Sequence, residues 1–107
     1  MNYSVNITDT AKQDLREIAI WIAKKSKDIE VGKKYVRELR EECKKLASLP
    51  DRGAFPNDRI LRSAGYRYIV YEEYLIFYLI DSERHIVNIM SIFNAKRDYF
   101  RVMRKYV

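Results

Sequence analysis

The most restrictive feature of the sequence is an apolar run of seven residues, Tyr74 to Ile80. Successive side chains of a strand point to opposite faces of a sheet, so a run that is apolar throughout predicts a strand buried on both faces. Segments rich in β-formers flank it at 66–71 and 86–93. The connections between the three segments are so short that they require antiparallel hairpins. The sequence therefore predicts a three-stranded antiparallel meander with Tyr74 to Ile80 at its centre.

A helical period precedes the meander. Apolar residues recur at spacings of three and four from about residue 10 to 25 and again from about 31 to 49, where Pro50 forbids continuation. Thr10 to Gln13 fits a capping box at the start of the first helix. Two amphipathic helices joined by so short a loop are expected to form an antiparallel hairpin whose shared apolar face covers a sheet.

The remaining segments complete the predicted order. Tyr3, Val5 and Ile7 alternate with polar residues, which predicts an opening strand with one solvated face. Residues 51–65 hold turn-forming residues without an apolar period, so we expect an ordered surface loop there. From residue 94 onward we expect a final helical turn or a mobile tail. The sequence thus predicts one α+β domain over 1–107, in which an N-terminal strand, a helical hairpin and the meander build one sheet packed on the helices.

Composition excludes several classes of protein. The chain has one cysteine and one histidine, which gives neither a zinc-ligand cluster nor a recognisable thiol catalytic pair, and we expect no metal and no cofactor. The longest apolar run falls far short of the roughly 20 residues that cross a bilayer, and the N-terminus lacks a signal pattern. We therefore expect a cytoplasmic protein without a membrane partner.

The charge favours a polyanionic partner. Twenty-one Lys and Arg residues against fifteen Asp and Glu residues give a formal net charge of +6. The most basic stretch runs from residue 94 to 107, where five cations stand against the single carboxylate of Asp98. Aromatic residues alternate with these cations, a pattern suited to phosphate neutralisation with base stacking.

Four ordered motifs carry a resemblance to a known family. They are Gly65 to Tyr71, Tyr74 to Tyr78, Ile89 to Phe93, and the late sequence from Lys96 to Tyr99. A basic chain of this length with these motifs after a strand and a helical hairpin resembles the RelE/ParE superfamily of bacterial toxins. The resemblance implies a RelE-like fold and the toxin of a type II toxin–antitoxin system. It also implies a cognate acidic antitoxin from the same operon, which we expect to lie across the helical hairpin and the basic sheet surface.

The superfamily has two functional branches. One cleaves mRNA on the ribosome without a metal, and the other poisons DNA gyrase. We expect the first, with the ribosome and mRNA as partners, and keep the gyrase poison and a silent antitoxin-binding relative as alternatives.

The resemblance assigns candidate residues to the RNA-cleaving reaction. The predicted catalytic residues are Arg67, Lys96, Arg97 and Tyr99, with the cations holding phosphate charge and Tyr99 as acid or stacking partner. The predicted RNA-binding residues are Arg59, Arg62, Arg101, Arg104 and Lys105. We expect Arg67, Arg97 and Tyr99 to open on one concave surface.

Simpler interpretations stay open for several of these residues. An alternative interpretation makes Arg67 a surface residue of the strand paired with Glu72 or Glu73, and another pairs Arg97 with Asp98. The cations of the tail fit a solvated basic segment as well as an RNA contact.

The general base is unassigned. Some ribosome-dependent relatives carry a histidine near the end of the last strand, where this chain has Phe93, Asn94 and Ala95. The only histidine, His85, is expected in a solvated turn. Trp21 belongs either to the edge of the core or to an antitoxin groove, and Cys43 is expected in the core.

Overall fold

Strands and helices are described for residues 2–107 in a computed structural model of the chain. In chain order they are β1 (Ser4–Ile7), α1 (Asp9–Ser26), α2 (Ile29–Lys44), α3 (Arg59–Ser63), β2 (Arg67–Tyr71), β3 (Tyr74–Asp81), β4 (Ile86–Asn94) and α4 (Tyr99–Met103). Short 3-10 turns lie at Lys45–Ala47, Pro50–Arg52 and Arg104–Tyr106. None of the helices in this part of the chain is long and apolar enough to cross a membrane.

One sheet runs through the protein in the order β1-β4-β3-β2. β2 pairs with β3 and β3 with β4 in antiparallel fashion, while β1 joins the far side of β4 in parallel. The predicted meander is therefore confirmed, with β3 as an interior strand. The α+β fold class is confirmed as well.

β3 is buried on both faces, as its unbroken apolar sequence predicts. Ile76 and Tyr78 belong to the core beneath α1 and α2, which we call the hairpin face of the sheet. Leu75 and Phe77 belong to a second core, built with Met103 of α4, which we call the second face. Two layers of helix therefore cover the central strand, as its sequence requires.

The helical hairpin forms as predicted, with a different cap. The Oγ1 atom of Thr8, not of Thr10, accepts the hydrogen bond from the backbone N–H of Ala11 at 3.3 Å. Gln13 bonds Glu17 one turn onward instead of returning to the cap. The prediction was wrong by two residues because the backbone enters the helix earlier, so that Thr8 already holds the extended conformation that a cap requires.

Two helices near the second face could not be established from the sequence, and the structure defines them. The predicted loop 51–65 contains α3, whose cap is the carboxylate of Asp58 on the N–H groups of Ile60 and Leu61. Five residues are too few for an apolar period to be recognised. Of the two predictions for the C-terminus the helical one is confirmed, and Met103 in α4 is fully buried.

A carboxylate ties α1 to the sheet beside an irregularity. The pairing of β3 with β4 shifts register between Phe77 and Tyr78. Opposite Phe77 on β4, an oxygen of Asp14 accepts hydrogen bonds from the hydroxyl of Ser91 at 3.1 Å and from the neighbouring N–H of Ile92 at 2.9 Å. Burial raises the pKa of Asp14 above its ordinary value, although both hydrogen bonds act in the opposite direction.

Two replacements of Asp14 distinguish the contribution of its hydrogen bonds to stability from that of its charge. Asp14→Asn is expected to leave the free energy of unfolding at neutral pH unchanged or higher, because an amide oxygen still accepts both bonds and no charge is desolvated. Asp14→Ala should lower it by roughly 1–3 kcal/mol, since the N–H of Ile92 and the hydroxyl of Ser91 lose their acceptor. Chemical unfolding of both variants measures the difference.

The pH dependence has a defined sign. The pKa of Asp14 in the folded chain lies above its ordinary value of 3.8, so the folded chain binds the carboxyl proton more tightly than the unfolded chain does. Asp14 therefore destabilises the wild type progressively as pH rises from about that value through the raised folded pKa. The advantage of Asp14→Asn over the wild type should grow over this interval and then stay constant. An advantage that shrinks with rising pH would contradict the assignment.

Candidate functional site

Arg67 holds a loop in place. It starts β2, and its Nη1 atom donates to the carbonyl oxygens of Asp51 at 3.0 Å and Gly53 at 3.1 Å. The guanidinium also lies 4.1 Å from the ring centroid of Phe55. Its ion-pair partner is Asp51 at 3.9 Å, so the alternative pairing with Glu72 or Glu73 is wrong.

Tyr78 of β3 holds the same loop. Its hydroxyl donates to the carbonyl of Pro50 at 2.6 Å and accepts from the N–H of Gly53 at 2.9 Å. Burial raises the pKa of Tyr78, which keeps the hydroxyl protonated as a donor. A Cβ atom at Gly53 would overlap the Tyr78 hydroxyl, so glycine is required there. We call the side chains of Arg67 and Tyr78 the loop clamp.

Tyr99 holds the same loop from the other side of the sheet. Its hydroxyl accepts hydrogen bonds from the N–H groups of Asn57 at 3.1 Å and Asp58 at 3.2 Å. Its ring packs 5.7 Å from that of Phe77, within the core of the second face. Both bonds are accepted by the hydroxyl oxygen, which the loop backbone therefore fixes in position.

The predicted convergence of Arg67, Arg97 and Tyr99 on one surface was wrong. Arg67 pairs across the sheet with Tyr78, which faces the hairpin, whereas Tyr99 packs on Phe77, which faces away from it. Adjacent positions of a strand point to opposite faces, so the sheet itself separates the two groups. The C-terminal segment does fold back as expected, but over the second face.

Lys96 and Arg97 come together at a different place. Both line an open cavity of about 460 Å³ between α1 and the end of β4, which we call the α1–β4 cavity. Its other lining residues are Asp14, Glu17, Ile18, Trp21, Tyr74, Ile92, Phe93 and Asn94. The four predicted catalytic residues are thus divided. Lys96 and Arg97 line this cavity, whereas Arg67 and Tyr99 lie elsewhere.

The α1–β4 cavity combines an apolar wall with both signs of charge. Trp21 is 59% exposed at its rim, so it is an accessible surface aromatic and not a core residue. The guanidinium of Arg97 lies 6.0 Å from the ring centroid of Phe93, and Asp98 caps α4 instead of pairing with it. Sequence reasoning missed the carboxylate of Asp14, whose only signal was its position beside the apolar stripe of α1.

The five predicted RNA-binding cations share one side of the protein. They lie on α3, on α4 or directly after α4, and these helices cover the second face: Arg59, Arg62, Arg101, Arg104 and Lys105. All five are exposed, and among the described residues none of them forms an ion pair. Three nevertheless contact their neighbours. Arg62 donates to the carbonyl of Pro56, Arg104 lies 5.6 Å from the ring centroid of Phe100, and Lys105 lies 5.4 Å from that of Tyr106. We call this group the second-face cations.

Cys43 lies in the core as predicted, and His85 lies in the predicted turn but is half-buried there. His85 occupies the β3–β4 turn with a positive φ of 56° and stacks on Tyr3 at 5.0 Å. Cys43 is fully buried in the hairpin core, and burial raises the pKa of its thiol to about 12. Neither residue reaches the α1–β4 cavity.

Known proteins share this fold. The toxin–antitoxin complex RelBE2 of Mycobacterium tuberculosis matches with 25% identity and a TM-score of 0.65, over 88% of this chain and 99% of the matched chain. The chromosomal ParDE system of P. aeruginosa matches with 20% identity and a TM-score of 0.71, over 86% and 95%. A substituted E. coli RelE toxin in the free state matches over the full length of both chains, with 14% identity and a TM-score of 0.68.

Sequence comparison identifies the family. No curated protein gives a significant match to the chain. The family model of the ParE toxin of the type II toxin–antitoxin system parDE matches residues 5–99, which include the hairpin, all of the sheet except Ser4, and both Lys96 and Arg97. The chain therefore belongs to the ParE toxin family of type II toxin–antitoxin systems.

Proposed function

We propose that this toxin arrests growth by binding DNA gyrase and that an acidic antitoxin neutralises it. The family model supports the gyrase branch, and two of the structural relatives are known from toxin–antitoxin systems. The formal charge of +6 suits an acidic partner.

The observation that carries this proposal is that the side chains of Arg67 and Tyr99 already bond the backbone of the protein itself. Cleavage of RNA without a metal requires a base, an acid and cations around a single phosphate. Here the guanidinium of Arg67 and the hydroxyl of Tyr99 bond loop backbone from opposite faces of the sheet. The arrangement favours a toxin that acts through a binding surface.

The rim of the α1–β4 cavity is the surface we assign to the target. Trp and Arg are the residue types that contribute most to binding at protein interfaces. Trp21 and Arg97 both line this cavity, together with the exposed cation of Lys96. The second-face cations add long-range attraction to gyrase bound on DNA.

Ribosome-dependent mRNA cleavage is the second candidate. One specific observation favours it: Lys96 and Arg97 line the same cavity as the carboxylates of Asp14 and Glu17. In this alternative the two cations hold the phosphate, a carboxylate is the base in place of the missing histidine, and the second-face cations contact RNA.

Expression of the toxin distinguishes the two targets. Binding to gyrase predicts gyrase trapped on broken DNA, with transcripts that stay intact by primer extension. Ribosome-dependent cuts inside reading frames, without broken DNA, would replace the proposal with its second candidate. Growth that continues unchanged in cells lacking an antitoxin would overturn both.

Substitutions at the cavity rim test the assigned surface. Arg97→Ala and Trp21→Ala should each weaken growth arrest, because each removes an interface anchor. The inducer concentration needed to arrest growth should rise by about tenfold or more. Both side chains are exposed, so the melting temperature should change little. Arg84→Ala, in the β3–β4 turn, removes an arginine that is 79% exposed and is the matched control. Full toxicity of both rim variants would exclude this surface.

Arg67→Ala is expected to lower stability, in contrast to the rim variants. It deletes two hydrogen bonds to the 51–53 backbone and the stacking on Phe55, a loss of roughly 1–3 kcal/mol. Thermal unfolding beside Arg84→Ala measures it. If Arg67→Ala kept the wild-type melting temperature and yet no longer arrested growth, its guanidinium would have to act on the target.

A further inference from the structure

The two helices that cover the second face share a pattern of four residues. Arginine, a β-branched residue, a long apolar residue and arginine follow one another at 59–62, in α3, and at 101–104, in α4 and the residue after it. In both copies the third residue, Leu61 or Met103, is fully buried in the core of the second face. The arginines on either side of it are exposed. Each copy therefore fixes its helix through one apolar side chain and leaves two cations at the surface.

The charge of this surface has one sign. Residues 59–66 and 99–107 contain the five second-face cations and no acidic side chain. The acidic residues directly before them, Asp58 and Asp98, cap the two helices, and each accepts two backbone hydrogen bonds. No ion pair within residues 2–107 involves a second-face cation. The surface is therefore suited to a polyanion.

The aromatic rings of this surface are not free to stack on bases. Tyr99, Phe100 and Tyr106 alternate with the cations in sequence, but all three are half-buried and pack against the core of the second face. In the described part of the chain, the aromatic side chains that are half exposed or more are Trp21 and Phe55, on α1 and in the loop before α3. Exposed rings that stack on unpaired bases are typical of proteins that bind single strands, whereas a duplex can be held by phosphate contacts alone. The surface therefore fits a duplex better than a single strand.

We propose that the second-face cations bind the phosphate backbone of duplex DNA without sequence preference. A helix that reads bases enters the major groove, whereas α3 and α4 have five residues each and lie against the core. Neither helix contains asparagine or glutamine, the side chains that pair with adenine. The choice of DNA over an RNA duplex rests on the proposed function, since gyrase holds DNA; the contact with a duplex backbone does not.

The proposed gyrase surface adjoins these cations. Phe93 packs in the core of the second face and also lines the α1–β4 cavity, and Arg97 lies 6.0 Å from its ring centroid. Burial has the largest effect on the pKa of Asp14, in that cavity, and raises it, while the charge of Lys105 acts in the opposite direction. A toxin that binds gyrase through the cavity rim therefore holds a cationic surface beside the contact, where the DNA of the enzyme would meet it.

A fluorescent duplex measures the binding. The probe is a DNA duplex of about 20 base pairs, or roughly two helical turns, in two unrelated sequences. We expect fluorescence anisotropy to show equal binding of both sequences. The logarithm of the affinity should fall with the logarithm of the salt concentration, with a slope of about −4.5 if all five cations neutralise a phosphate. Absence of binding at low salt, or binding that salt does not weaken, would overturn the inference.

Arg59→Ala combined with Arg101→Ala locates the contact. Both side chains are exposed, so the melting temperature should change little. The affinity for the duplex should fall by about tenfold or more and the salt slope should become shallower by about 2. Lys24→Ala with Lys33→Ala removes the same charge from exposed lysines of the helical hairpin and should bind as the wild type does. Equal weakening in both variants, or none in the arginine variant, would overturn this surface as the DNA site.

Competitors identify the class of partner. Unlabelled DNA duplex should displace the probe at a lower concentration than single-stranded RNA or polyglutamate, compared at equal charge. Single-stranded RNA that competes as well as the duplex or better would assign the surface to RNA. Polyglutamate that does so would assign it to an acidic protein. Either result would overturn the inference.

Gyrase with and without DNA separates this inference from the proposed function. The wild type should bind DNA-loaded gyrase about tenfold or more tighter than DNA-free gyrase, because the duplex adds a second contact at high effective concentration. The Arg59→Ala and Arg101→Ala variant should lose this difference. Equal binding of the wild type to both forms would overturn DNA as the partner of the second face. A wild type that binds neither form overturns the proposed function, and the measurement on the free duplex then decides the inference by itself.

Discussion

Burial of β3 on both faces is the constraint on which the structure depends. Ile76, Phe77 and Tyr78 are completely inaccessible to solvent, and their side chains alternate between two cores. Full burial of such side chains stabilises the fold by roughly 1.5–3 kcal/mol each, which exposure of either face would forfeit. The helical hairpin covers one face, and the second face requires α3 and α4. The basic C-terminal segment is therefore part of the fold, with Met103 as its buried contact.

The same constraint divides the polar residues that the family resemblance grouped together. The loop between the hairpin and β2 crosses the edge of the sheet, and polar side chains hold it from both faces. The loop clamp of Arg67 and Tyr78 bonds residues 50–53, and Tyr99 bonds the backbone at Asn57 and Asp58. Charges that remain free to meet a target lie outside this arrangement, at Lys96 and Arg97 and among the second-face cations.

The sequence was sufficient to predict the long elements, in which the apolar pattern repeats several times. It was insufficient to predict the short elements and the directions of side chains. The meander, the hairpin and the burial of Cys43 follow from spacing, because many residues repeat the same signal. α3 has only five residues and a cap at Asp58, so its signal resembles that of a turn. The direction of Arg67 depends on its pairing with Tyr78 and on where the 51–55 segment lies, and both are properties of the folded chain. Lys96 and Arg97 were identified correctly as neighbours because they are adjacent in sequence, whereas Asp14, remote from them in the chain, was not.

The central claim is that the hydroxyl of Tyr99 holds backbone and takes no part in chemistry on a substrate. Growth arrest by Tyr99→Phe tests it most directly, because phenylalanine keeps the ring against Phe77 and removes only the acceptor for the N–H groups of Asn57 and Asp58. The account predicts that this variant, expressed at the wild-type level, still arrests growth, with a somewhat lower melting temperature. A variant that melts at the wild-type temperature and has lost all toxicity would contradict it.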